Sequence, residues 1–286
     1  MRYTIGLIML FSLLFFDATS FAQEAKKAKH RTRSIYGSWG YNEEWFTNST
    51  IHIKQPGLGN DYEMVHVRAE DHEGWNKGLF NEALTIPQYN YRLGCYFNEN
   101  QDLAIELNFD HTKYVVNNGE GVHITGKINN APVNEQVVFS QQNGFYYYLN
   151  NGANFFLFNI VKRLGLYNTI DNKLRIDLTG KAGIGPVIPH VQNSLFGEAN
   201  HQQFQFGGWN TGLETAVRVT FMRYAYLEFS QKVDYARYSH LLVYDGRANQ
   251  NFGTYELILS IGAIIPTTPH NPMFHMQRAT DIIIED

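Results

Sequence analysis

The stretch from Pro87 to Val116, PQYNYRLGCYFNENQDLAIELNFDHTKYVV, constrains the fold more than any other part of the chain. Tyr89, Tyr91, Leu93, Cys95 and Phe97 fall on one face, and Gln88, Asn90, Arg92 and Gly94 on the other. After the polar turn NENQD, Leu103, Ile105, Leu107 and Phe109 alternate with Glu106, Asn108, Asp110 and Thr112. Alternation with period two in two runs joined by a tight turn predicts an antiparallel hairpin with one apolar and one polar face. A soluble sheet turns such an apolar face inward, whereas a membrane barrel turns it out to lipid. Alternation by itself does not choose between them.

The N-terminus indicates the compartment. Arg2 precedes an unbroken apolar run, IGLIMLFSLLFF, and Ser20-Phe21-Ala22 has the small-x-small form of a cleavage site. Residues 1–22 therefore read as a cleaved secretory signal, too short and wrongly flanked for a spanning helix. The basic stretch QEAKKAKHRTR (23–33) reads as a leader before the first strand. The single cysteine, Cys95, excludes an intrachain disulfide and a cysteine metal site. A net charge of −4 gives no reason to expect nucleic acid. Aromatic content of 15% combined with a negative mean hydropathy suits strands whose every second residue is polar.

Strand patterns recur along the chain. SIYGSWGYNEEW opens the series, and DYEMVHVRAEDHE alternates within a longer segment at 46–86. Residues 115–144 read as a loop with a short hairpin around VHITGKI. Phe145–Lys162 is apolar but alternates poorly, which leaves ten strands open beside eight. NKLRIDLTGKAGIG restores the pattern, 185–207 reads as a loop, and residues 207–238 form a second tight hairpin. A loop at 239–251 precedes the last strand, FGTYELILSIGAII. Connections thus alternate long and short, as in outer-membrane barrels with short periplasmic turns and long outer loops. Counting 61–72 as an outer ribbon leaves eight wall strands with both chain ends on the periplasmic side. The expected fold is all-β, an antiparallel transmembrane up-and-down barrel over 34–265, with a periplasmic tail at 266–286.

This choice turns the polar face inward. The lumen set is Arg92, Glu106, Asp110, Lys173, Arg175, Asp177, Lys181, Glu214, Arg218, Glu228, Lys232 and Asp234, joined by Glu256. An eight-stranded barrel is only wide enough for side chains to fill it, and buried charges require partners, so a salt-bridged plug is expected. Trp39, Tyr41, Tyr89, Tyr91, Phe97, Trp209 and Tyr235 fall on the outer face as an aromatic girdle at the headgroup level.

Through tyrosine-rich strands such as SWGYN, PQYNYRLGCYF, LAIELNFDHTKYV and YLEFSQKVDYARY, the chain resembles the small OmpA- and OmpW-type outer-membrane proteins over roughly 33–265. The resemblance implies a bacterial outer-membrane location, contact with lipid and lipopolysaccharide, handling by the outer-membrane insertion machinery and a monomeric state. It implies no cofactor. Such barrels usually end in a terminal aromatic that the insertion machinery reads, and this chain departs from that pattern by continuing past Ile265.

RYSHLLVYDGRANQNF (237–252) looks somewhat like the His-x-Ser segment of lipid A deacylase barrels. Ser239 matches the serine and Glu256 could orient a base, but Arg237 stands where the histidine belongs. His240 would serve only if the rim bends, since strand neighbours face opposite ways. No metal is expected, because His66 and His72 would lie about 20 Å apart on a strand. The leading function is a structural or loop-mediated binding role. The alternatives are a lipid A acyl hydrolase and a narrow conduit for small hydrophobic molecules.

Overall fold

The computed structural model describes residues 33–71, 88–98, 100–149 and 152–267 of the 286-residue chain. The signal, most of the leader, His72 and nearly all of the tail lie outside the described residues. In chain order the strands are β1 (Ser34–Phe46), β2 (Ser49–Gln55), β3 (Asn60–Val67), β4 (Tyr89–Tyr96), β5 (Leu103–His111) and β6 (Tyr114–Val115). They continue with β7 (Gly121–Ile128), β8 (Ala131–Val138), β9 (Tyr146–Leu149), β10 (Phe155–Asn168), β11 (Leu174–Val187) and β12 (His190–Leu195). The last are β13 (Glu198–Ala199), β14 (Gln203–Phe204), β15 (Gly208–Phe221), β16 (Ala225–Val243) and β17 (Gly246–Pro266).

Eight of them form a ring in the order β1-β4-β5-β10-β11-β15-β16-β17, closed by β17 on β1. The closing pair is antiparallel and unbroken from Ser34↔Pro266 to Phe46↔Thr254. Period-two alternation sets the wall: Tyr36, Ser38 and Asn42 of β1 are buried, while Ile35 and Trp39 are exposed. The same outward apolar face runs round the ring through Leu93, Ile105, Ile160, Ile184, Leu213, Phe229 and Leu259. Closure satisfies the backbone without leaving a sheet edge in the wall.

The connections at one end of the ring are long and at the other short. At the short end, Met222 and Arg223 take positive φ (50° and 73°) between β15 and β16, and Asn172 does the same (55°) between β10 and β11. At the long end the chain folds into a head. Arg247–Asn249 of β17, above the wall, pair with Lys54–His52 of β2, and the sheet continues through β3, β7 and β8. A second sheet, β13-β12-β9-β6 with β14 on β12, lies in the same head. Ile51, Ile53, Tyr62, Met64, Ile124, Tyr147 and Val191 belong to its apolar core.

Three sequence expectations change. Phe145–Lys162 is not one wall strand: Tyr146–Leu149 belongs to the head and Phe155–Asn168 to the wall. The 239–251 loop is absent as such, because β16 and β17 run on to a tight turn at Tyr244–Asp245, interrupted only by a bulge between Tyr238 and Leu241. The segment at 185–207, read as a loop, carries β12 to β14, whereas the short hairpin expected around VHITGKI within 115–144 is β7–β8. The ring contains eight strands, not ten.

Candidate functional site

Inward positions of the wall strands bring most of the sequence-derived lumen residues together. Arg92 reaches Asp110 at 2.6 Å, Glu214 at 3.3 Å and Glu106 at 3.8 Å. Lys181 lies 2.9 Å from Glu214, 3.0 Å from Glu228 and 3.4 Å from Glu106. Lys232 lies 2.5 Å from Asp110, 2.7 Å from Asp234 and 3.3 Å from Glu256. Arg218 donates from Nε to Glu228 at 2.6 Å, and Arg175 pairs with Asp177 at 2.7 Å. All of these side chains are buried. Shared carboxylates link the Arg92, Lys181, Lys232 and Arg218 clusters into one network.

Lys173 is the exception. The wall strand starts at Leu174, so Lys173 lies in the preceding turn, two-thirds exposed, on Asp171 at 3.1 Å. Alternation counted backwards from Arg175 gives Lys173 the right parity but does not show that the strand has ended. Conversely, Arg163 and Glu44, both buried on the inner face, were not recognised as lumen residues. Arg163 lay beyond the assigned end of its strand, and Glu44 follows Glu43 in a stretch where alternation fails.

Aromatic layers flank the charges. Towards the short-turn end, the Arg218 guanidinium lies over the rings of Tyr226 (4.1 Å) and Tyr36 (4.8 Å), and that of Arg163 over Tyr96 (4.4 Å). Such stacking is favourable for a desolvated guanidinium. Tyr36 also donates its hydroxyl to Glu106 at 2.7 Å. Towards the head, Phe252 packs against Tyr114 (4.7 Å), Tyr238 (5.3 Å) and Phe46 (5.4 Å), and the Tyr238 hydroxyl donates to the Ala153 carbonyl.

The head carries an open cleft of about 560 Å³, lined by Leu58, Ile128, Pro132, Val133, Phe196, Glu135 and Glu198 among others. Phe196 sits in the two-residue turn between β12 and β13 with φ of 54°, followed by Gly197 at 92°. Paired positive φ values suit the twist of a tight hairpin, but a bulky side chain rarely accepts them. Its ring packs on Phe145 and Tyr62. Where head meets wall, buried Asp71 accepts the backbone N–H groups of Glu44 (3.1 Å) and Lys113 (3.2 Å). Burial raises the Asp71 carboxyl to about 7, against the lowering effect of these donors.

The outer-face aromatics lie where alternation places them. Trp39, Tyr91, Phe97, Trp209 and Tyr235 are exposed, while Tyr41 and Tyr89 are half-buried. Tyr89 stacks on His111 at 4.7 Å and Trp209 packs against Tyr235 at 5.8 Å.

Ser239, His240 and Glu256 do not form a catalytic group. Ser239 and His240 make the β16–β17 bulge, where His240 is exposed with φ of 59° and donates its backbone N–H to Asn249 Oδ1. Glu256 faces the lumen on Lys232. It lies six residues along β17 from Gln250, the register partner of Tyr238, which is about 20 Å at a strand's rise. The rim does bend, but towards solvent rather than towards a carboxylate.

Among known proteins, no family model matches this chain and no curated sequence does. Solved structures do match. Neisserial surface protein A is 9% identical, with 81% of this chain and 96% of that one covered and a TM-score of 0.32. The outer-membrane protein AlkL, solved in lipid bilayers, is 10% identical over 86% and 96%, with a TM-score of 0.32. The outer-membrane protease OmpT from Escherichia coli is 8% identical over 82% and 96%, with a TM-score of 0.36. The architecture is read from the chain's own strand pairing: eight antiparallel strands, a closed ring, an apolar outer wall and a charged interior. The fold is that of a small outer-membrane β-barrel.

Proposed function

We propose that this protein resides in a bacterial outer membrane as a barrel with its lumen sealed by salt bridges, and acts by binding through its folded head. The observation that carries this reading is the contrast between lumen and head. Buried ion pairs lie in the lumen between the cation–aromatic contacts at Arg218 and the ring contacts at Phe252, which supports a sealed lumen. The head carries most of an apolar core that reaches down to Phe155, Tyr238 and Phe252 of the wall strands, and it bears an open cleft. Function that leaves the lumen closed falls to the surface the head displays. Loops positioned by a rigid scaffold are the usual place for binding residues. The apolar wall fits hydrocarbon, in which only closed barrels and helices satisfy their backbones.

Orientation is testable in intact cells. In a Cys95→Ser background, Glu135→Cys on exposed β8 should react with a membrane-impermeant maleimide without lysis. Lys173→Cys in the short turn should react only after lysis. Labelling of Lys173→Cys alone in intact cells, or of neither site, contradicts the proposal.

A further inference from the structure

The larger sheet has an open edge in the head. Its order runs from the ring through β2, β3 and β7 to β8, and among the described residues no strand pairs with the far side of β8. The hairpin register determines which backbone groups point that way. Asn129 and Asn130, both at positive φ (51° and 62°), form a two-residue turn, so Ile128 and Ala131 exchange hydrogen bonds across it. Bonded and non-bonded pairs alternate in an antiparallel ladder, so Val133, Glu135 and Val137 also turn their backbone groups to β7. Asn134, Gln136 and Val138 turn theirs outward, and Pro132 adds only a carbonyl.

The cleft in the head adjoins this edge. On the β8 side it is lined by Ala131, Val133 and Glu135, alternate residues that share one face of the strand. Leu195, Phe196 and Glu198 of the β12–β13 hairpin complete the lining there. Phe196 is 44% exposed although its ring packs on Phe145 and Tyr62, so apolar surface remains open. Both glutamates are exposed and neither has an ion-pair partner among the described residues. No Lys, Arg or His lines the cleft. A strand added to this edge would lie about 4.8 Å beyond β8, with alternate side chains on the face that carries Val133 and Glu135.

We propose that the β8 edge and the cleft form one docking site for an extended segment of another protein, bearing a basic and an apolar side chain two residues apart. The segment adds as a strand, its backbone bonding to that of Asn134 and Gln136. Residues two apart on a strand share a face, so the basic side chain meets Glu135 and Glu198 while the apolar one covers Val133 and Phe196. Charge sets the class of partner: carboxylates without cations in the lining favour a basic segment and reject an acidic one. The inference deepens the proposal of binding through the head and rests on it.

The test uses the full mature protein refolded in detergent and a short fluorescent peptide that alternates threonine with leucine or lysine, so that leucine and lysine share a face. One control replaces lysine by glutamate, and two more carry N-methyl groups on alternate amides, one for each peptide edge. In anisotropy titrations the lysine peptide should bind about tenfold more tightly than the glutamate peptide. Methylation along one edge should abolish binding. Joint Glu135→Gln and Glu198→Gln substitution should weaken the lysine peptide about fivefold at low salt. Gln136→Pro, which removes one outward N–H, should weaken it too while leaving the boiling-dependent gel shift intact. Equal binding of the lysine and glutamate peptides, binding of both methylated peptides, or no binding overturns the proposal. So does a concentration-dependent dimer that Gln136→Pro abolishes, which would assign the edge to a second copy of this chain. Failure of the head-binding reading looks different. Glu135→Cys left unlabelled in intact cells, with the lysine peptide still selected by the purified protein, would contradict the outward orientation and support the site.

Discussion

Lys181 is buried among three carboxylates, those of Glu106, Glu214 and Glu228. Removing its charge leaves acidic groups in the lumen short of a counter-ion, and breaking a buried pair in this way costs about 3–5 kcal/mol. Lys181→Met should therefore lower the stability of the refolded barrel by that order in urea titrations in lipid vesicles. Lys173→Met, in an exposed turn, should change it by less than about 0.5 kcal/mol. Equal effects would place Lys181 outside the network. Asp71 gives a pH dependence of defined sign. Its carboxyl is raised to about 7 by burial, so the folded head binds the proton more tightly than the unfolded chain, where the value is about 4. Its contribution is full below about pH 4 and is lost as pH rises through 7. Asp71→Asn should flatten the decline in head stability between pH 5 and 8, read by amide exchange at Glu44 and Lys113. An unchanged decline would remove Asp71 as its source.

Among the described residues, the strand pairing that connects the β7–β8 hairpin to the ring runs through β3, β2 and the outer part of β17. Replacing residues 121–138 by a short Gly/Ser linker should leave the barrel folded while exposing the β3 edge. The expected result is a retained boiling-dependent gel shift with faster proteolysis of the head. Loss of the shift would mean that wall and head fold as one unit. The strands differ in how clearly alternation announces them. In β15 and β16 the buried face carries Glu214, Arg218, Glu228 and Lys232, so the contrast with the outward apolar residues is sharp. In β10 the inward residues include Phe155, Leu157 and Val161, which make both faces apolar and blur the period. Of the head strands, β9 and β12 were obscured for another reason: Tyr147 and Val191 pack into a three-dimensional core that pairs distant segments. Period-two counting within one segment does not detect such contacts.

For the whole molecule, the ring was legible because an apolar outer face and a polar inner face impose the same rule on the wall strands other than β10. Most of the charged inward residues followed from that rule; Lys173 falls outside its strand, and Arg163 and Glu44, within theirs, did not follow from it. The aromatic layers over Arg218 and Arg163 were not legible, because they depend on which side chains meet across the lumen. The proposed salt-bridged seal predicts that the purified protein adds no stepwise conductance to planar bilayers. Regular channel openings would show that the network parts readily. The central claim, an apolar face turned outward on a closed ring, is tested most directly by gel mobility of the membrane-fraction protein, boiled against unboiled in SDS. The account predicts a clear difference in mobility between the two samples. No shift, with the protein recovered from soluble periplasm, would mean that the apolar residues face inward, and would contradict it.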